Sequence, residues 1–245
     1  MDIFADAIAW LTSPEQYEGA DALPLRIGEH LFFTFIAVLI AAVIAIPVGY
    51  LIGHTGKGRE IAVGISGAAR ALPSFGLILL LVLLIGVTQK PLAAFIAFVL
   101  LAVPSILAGA YSGLESIDRR IIDSARAVGM TEWQILRKVE IPLGLPLLIG
   151  GIRSAALQVV ATVTLAAYIG LGGVGLYIIA GLALREFDQM LGAAIVIVVL
   201  ALVIDTLFAL LQRFITPRGV AAGRASDSRT RSVRPRAVAE SPAHE

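Results

Sequence analysis

The sequence predicts an all-α polytopic membrane protein with five spans, the N-terminus outside and the C-terminus cytoplasmic. Three observations carry this. Charged residues make up 15% of the 245-residue chain, against about 25% in soluble domains. The deficit is concentrated in long stretches that carry one charge or none. Lys and Arg gather on one set of connecting loops.

A bilayer-crossing helix needs ~20 apolar residues. Residues 31–52 and 91–111 carry no charge, whereas 61–86 carry only Arg70, 143–169 only Arg153 and 190–212 only Asp205. With the N-terminus outside, the cytoplasmic pieces 53–60, 112–142 and 213–245 hold fourteen Lys and Arg. The outer pieces hold three, Arg26, Lys90 and Arg185. Basic residues favour the cytoplasmic side, which sets the orientation. Residues 1–30 then form an extracytoplasmic segment, in which 3–11 read as a short interfacial helix anchored by Trp10. Residues 31–216 form the membrane domain. Residues 217–245 are rich in Ser, Arg, Ala and Pro, lack apolar periodicity, and are expected to be disordered. Pro47, Pro73, Pro104 and Pro146 each fall in a span. Bent helices around a path and ordinary tolerance of proline in membranes both fit them.

The chain has no Cys, which excludes disulfides, thiolate metal sites and a Cys nucleophile. The acidic N-terminus lacks a basic n-region, so a cleaved signal peptide is not expected. His30, His54 and His244 are scattered and suggest no metal site. No catalytic constellation is readable, and nothing points to a nucleic-acid partner.

The loop 112–142 is too well patterned for a spacer. Asp118 can cap a helix start, after which Ile121, Ile122, Ala125 and Val128 recur at helical spacing. Gly129 stands where that helix should end in a left-handed residue. Thr131 and Gln134 make a capping box for a second helix, carrying Trp133 and Leu136 on one side. Pro142 disfavours helix at Ile141 and is expected to stop it. Physical pattern alone allows two placements for this helix pair: resting on lipid headgroups, or docking to another protein.

The stretch "DSARAVGMTEWQILRKVEIPLGLPLLIGGIRSA" resembles the signature loop of permease subunits of bacterial ABC importers. Asp123, Ser124 and Ala125 stand at the family's Glu-Ala-Ala, Gly129 at its Gly, and Ile141 and Pro142 at its close. Asp for Glu and Ser for Ala are departures. Asp keeps the carboxylate on a shorter arm, and Ser is nearly as small as Ala. The stretches "EHLFFTFIAVLIAAVIAIPVGYLIG", "ARALPSFGLILLLVLLIG" and "AAYIGLGGVGLYIIAGL" look like the subfamily importing glycine betaine, choline, carnitine or proline. The resemblance covers residues 28–215. It implies a five-helix permease core whose loop couples to a cytoplasmic ABC ATPase dimer. It also implies an extracytoplasmic solute-binding protein and a second permease subunit, identical or paralogous. The region of Gly170, Gly172, Gly173 and Gly175 would lie near the external gate. Methionine, sulfonate or nitrate importers are the nearest alternatives. A secondary transporter would need more intramembrane ion-coupling groups.

"GLGGVG" at 170–175 satisfies a dinucleotide pattern but follows a membrane helix, where that motif needs a βαβ unit. It reads as a tight outer turn feeding an apolar piece, 176–184, too short to span. "HTGKG" at 54–58 lacks the Gly of a phosphate loop five residues before Gly56. ATP and Mg are therefore expected on the partner ATPase, with no cofactor on this chain. Arg70, Arg153 and Asp205 remain as intramembrane charges, which usually pair or face the bundle interior. Asp205 is expected to pair with Arg153 or Arg70; the alternative is snorkelling of the two Arg side chains to the headgroups.

Overall fold

Glycines on facing helices set the architecture. The computed structural model describes residues 2–215, apart from the side chain of Arg70. The expectations for Arg70 and for the tail at 217–245 therefore lie outside the described residues. The helices are α1 (Ile3–Thr12), α2 (Leu23–Thr55), α3 (Arg59–Ala71), α4 (Ser74–Ile85), α5 (Lys90–Glu115), α6 (Arg119–Ala127), α7 (Glu132–Ile135), α8 (Ile141–Ala166), α9 (Gly175–Leu184) and α10 (Phe187–Ile215). No strand occurs among the described residues. Four helical stretches are long and apolar enough to cross a membrane: 23–55, 87–115, 132–169 and 187–215.

The core forms where α5 packs between α2 and α8. Gly49 and Gly53 let α2 approach α5. A Cβ on Gly49 would stand 2.4 Å from the Ala110 Cβ, and one on Gly53 would stand 2.9 Å from the Tyr111 carbonyl oxygen. Gly109 and Gly113 do the same toward α8. A Cβ on Gly109 would lie 2.7 Å from the Leu147 oxygen, and one on Gly113 would lie 2.6 Å from the Gly144 oxygen. Gly151 answers from α8, where a Cβ would meet the Ser105 oxygen at 2.6 Å. Small residues spaced by four let membrane helices touch backbone to backbone, where dispersion replaces the missing hydrophobic force. Between the glycines the contact is filled by Ala41, Ala45, Ala97, Phe98, Ile106, Ala155 and Val159, all buried.

The stretch 61–86 is apolar enough to span only as a bent pair: α3 and α4 meet at a 90° bend around Leu72 and Pro73. Leu72 is extended, with φ −71° and ψ 130°, as a residue before proline prefers. At 1.5 Å per residue the two pieces are about 20 and 18 Å long, short of a ~30 Å hydrocarbon core. Contrary to expectation, Pro142 does not stop a helix. A π segment, Leu136–Glu140, joins α7 to α8, and the helical run continues to Ile169. Ile141 donates to the Leu136 carbonyl, a wider turn than the α-helical bond. Pro142 sits in the first turn of α8, where its missing N–H does least harm.

The predicted helix at 3–11 forms as α1, with Asp2 accepting from the Phe4 amide at 3.2 Å. Its Trp10 seats on protein. The indole covers Gly192 of α10, where a Cβ would come within 2.5 Å of the ring, and meets Tyr177 edge-on at 5.2 Å.

Gly113→Ala is expected to lower the stability of the detergent-solubilised protein by about 1–3 kcal/mol, the usual cost of overpacking. Gly64→Ala, with nothing within 4 Å, is the neutral control. Thermal unfolding of both variants checks this; equal midpoints would contradict the close-approach account.

Candidate functional site: the patterned loop and the two helix-bundle ends

The loop folds as its caps dictate. Asp118 accepts from the Arg120 amide at 2.9 Å. Gly129 takes φ +83°. Its amide donates to the Arg126 carbonyl at 2.9 Å and that of Met130 to the Ala125 carbonyl at 3.2 Å, the double bond of a Schellman close. Thr131 and Gln134 make both halves of a capping box, at 3.3 and 2.9 Å. The two helices hold each other through Ile122, Ala125 and Ile135, a small core separate from the main one.

Of the triplet, Ala125 is buried in this elbow, while Asp123 and Ser124 are exposed. The Ser124 hydroxyl donates back to the Arg120 carbonyl at 2.7 Å, and Asp123 lies 3.5 Å from Arg126. Ile141 and Pro142 are half-buried at the start of α8. The expected apolar stripe divides: Ile122 and Ala125 point inward, whereas Ile121 and Val128 stay exposed, with Trp133 alongside in α7. The exposed face thus offers large apolar groups ringed by charge. Arg126 grips Glu132 with two hydrogen bonds, 2.8 and 3.1 Å. That carboxylate holds the Arg126 guanidinium above its ordinary range, so its charge is fixed.

Sequence reading passed over His54 and Glu140. His54 ends α2, and its Nδ1 lies 2.5 Å from Oε2 of the buried Glu140. Nearby, Arg59 lies 3.4 Å from Glu115 at the end of α5.

The glycine turn lies at the opposite end of the bundle, beside Lys90. Gly170, Gly172 and Gly173 have φ of +76°, +108° and +77°, which other residues adopt rarely. The Glu29 carboxylate accepts from the Gly173 amide at 2.9 Å and from Arg26 at 2.7 Å. Arg26 also pairs with Asp21, whose backbone carbonyl accepts from the Tyr177 hydroxyl. His30 is fully buried. Its Nε2–H donates to the Val160 carbonyl at 3.0 Å, and its Nδ1 faces Gly173. Gly175 starts α9 where a Cβ would meet the Thr164 oxygen at 2.3 Å. Composition gives no warning of this carboxylate clamp; Glu29 and Arg26 stand in an unremarkable stretch before the first span.

Asp205 meets Arg153 rather than being left to choose between two arginines. Both Asp205 oxygens lie 2.5 Å from guanidinium nitrogens, the fork geometry that favours Arg–carboxylate pairs. About two helical turns toward the loop end, Gln212 donates to the Pro146 carbonyl at 2.9 Å, a second polar tie between α10 and α8.

The family described as "Binding-protein-dependent transport system inner membrane component" matches residues 37–219. The chain belongs to this family. Among its relatives, the glycine betaine/carnitine/choline transport system permease protein OpuCB of Bacillus subtilis is 34% identical over 84% of this chain and 93% of its own length. The osmoprotectant import permease protein OsmW of Salmonella typhimurium is 36% identical over 78% of this chain and 91% of its own. Among solved structures, a chain of the MetNI methionine ABC transporter, inward facing, superposes with a TM-score of 0.69 at 23% identity. It covers 86% of this chain and 98% of that one. The fold is therefore that of ABC-transporter permeases, and the protein is a multi-pass component of the plasma membrane.

Exchanging the intramembrane charges tests the pair. Arg153→Asp or Asp205→Arg alone leaves like charges facing each other, and each should lower yield and thermal midpoint in detergent. The double exchange should recover most of both. A double variant no better than the worse single would contradict direct pairing.

Proposed function

We propose that this chain is the translocation subunit of an ABC importer for compatible solutes such as glycine betaine, choline, carnitine or proline. The observation that carries this is identity of 33–36% to permeases named for these solutes or for osmoprotectants, over about four-fifths of the chain. The spans support a weakly selective path. Cation–π recognition of quaternary ammonium groups uses several aromatic faces around one site. Here Phe33, Phe95 and Phe98 meet edge-on near the core, and Phe75 meets Tyr168 as a lone pair. Selectivity then belongs to an extracytoplasmic solute-binding protein.

Five crossings with the N-terminus outside are the reading we favour, with α3 and α4 together making one bent crossing. His54, Arg59 and Glu115 gather with the loop at one end of the bundle, and Arg26, Lys90 and Gly170 at the other. The Lys and Arg bias puts the loop end in the cytoplasm. There a separate ATPase dimer binds ATP and Mg and docks on the exposed Ile121, Val128 and Trp133 face. Asp123, Ser124, Ala125, Gly129, Ile141 and Pro142 frame this contact. The turn at Gly170, Gly172, Gly173 and Gly175 forms part of the external gate. A second permease chain completes the path. Arg153 and Asp205 hold α8 to α10 while these ends move; Arg70 is assigned no role.

Purified complex in proteoliposomes is expected to import glycine betaine only with ATP inside and binding protein outside. Uptake without ATP would overturn the mechanism; import of methionine alone would overturn the solute class. Gly129→Asp, which forces a Cβ into a left-handed residue, should leave assembly intact but separate ATP hydrolysis from uptake. Unchanged coupled uptake would defeat the docking role of the loop.

A further inference from the structure

We propose that His54 is a positioning residue of the transport cycle, tying the last turn of α2 to the second helix of the coupling loop and the π segment that follows it, so that loop movement reaches the α2 span. The proposal rests on the functional reading above.

Ile117, just after α5, and Val139 of the π segment pack against the loop's own core. That core, Ile122, Ala125 and Ile135, is separate from the core of the bundle. Chain continuity fixes the loop to α5 at one end and, through the π segment, to α8 at the other. His54 supplies a lateral tie to a different span. Its Nδ1 is 2.5 Å from Glu140, and its Nε2 is 3.7 Å from Glu132. Nδ1 is thus within hydrogen-bond distance of one carboxylate, and Nε2 faces a second at longer range.

The two partners differ in a way that matters. The Glu140 side chain is only 8% exposed, and a buried carboxylate left without its partner is costly. Glu140 therefore holds His54 firmly and keeps α2 registered against the entry to α8. Glu132 is 55% exposed and is shared with Arg126 of α6. Arg126 in turn lies beside Asp123. One imidazole so connects α2 to α8 directly, and to the helix carrying the exposed triplet through one further ion pair. Glu140 is also the last residue of the π segment, a helix irregularity that recurs at functional positions.

The helix being held can pass displacement on. Helix α2 runs unbroken by secondary structure from Leu23 to Thr55. Its other end carries Glu29 and His30, which contact the glycine turn. A tie at His54 therefore places one continuous helix between the loop and that turn.

The test uses the complete complex of permease, ATPase and binding protein in proteoliposomes, with glycine betaine uptake and ATP hydrolysis measured in the same vesicles. His54→Ala is expected to lower solute imported per ATP about tenfold, within the usual range of coupling between sites. The ATPase should still co-purify, and the half-saturating concentration of loaded binding protein should not change. Exchanging the partners, His54→Glu with Glu140→His, should recover at least half of the wild-type ratio. A wild-type ratio in His54→Ala, or an exchange no better than either single change, overturns the proposal. Should His54→Ala fail to assemble, His54→Gln keeps one N–H for Glu140 and is expected to give an intermediate ratio; a wild-type ratio there overturns the proposal equally. A wild-type complex that imports nothing overturns the functional reading and this proposal with it, whereas a working wild type confines any failure to His54.

Discussion

Backbone-to-backbone contact among α2, α5 and α8 is the constraint on which the rest depends. Gly49 and Gly53 face α5, and Gly109 and Gly113 face α8, at distances where a single Cβ would collide with main chain or Cβ atoms. In hydrocarbon, apolar side chains gain nothing by leaving lipid for protein, so packing density must supply the attraction. Three helices locked this way give the two ends of the bundle a fixed relative geometry. Polar groups at the ends then meet at hydrogen-bond distances without long connecting structure.

Those ends are built from different chemistry. At the glycine-turn end, a carboxylate captures a backbone amide: Glu29 holds Gly173, and Arg26, itself paired with Asp21, holds Glu29. The left-handed glycines bring that amide within reach of a side chain. At the loop end, side chains meet side chains. His54, Glu140, Glu132 and Arg126 form a chain of polar contacts beside a loop whose fold is set by its own caps. The loop is thus a preformed unit with its own small core, continuous with α5 at Ile117 and with α8 through the π segment, and tied to α2 by one imidazole. Between the ends, Arg153 and Asp205 neutralise each other in the apolar region, where either charge alone would be costly.

Local signals in the sequence were legible where short-range chemistry decides. Asp118, Gly129, Thr131 and Gln134 act within a few residues of themselves, so the caps read from spacing appear as bonds. Hydropathy located the long apolar helices for the same reason. Pro142 misled because a proline's effect depends on the turn it joins. A π turn before it leaves the helix continuous, and no residue pattern announces that turn. Pro73 acts in the opposite sense, breaking a stretch whose hydropathy reads as one span. The glycine spacings at 49 and 53 and at 109 and 113 were available as a packing signal, but which helices they join depends on three-dimensional arrangement. His54 with Glu140, and Glu29 with Gly173, are separated by 86 and 144 positions in the chain. Neither partner is unusual alone, and only the fold brings them together.

The central claim is that the exposed apolar face of the loop is a protein contact and not a lipid one. The chain has no cysteine, so Val128→Cys, at a position 78% exposed, provides a single site for a spin label in nanodiscs. Collision with lipid-soluble oxygen and with a water-soluble nickel chelate reports what surrounds it. The account predicts a label open to the nickel chelate in the permease alone, and immobilised and shielded from it once the ATPase is added. A label that collides with oxygen in preference to nickel, and does so equally with and without the ATPase, would place this face on the bilayer and contradict the account.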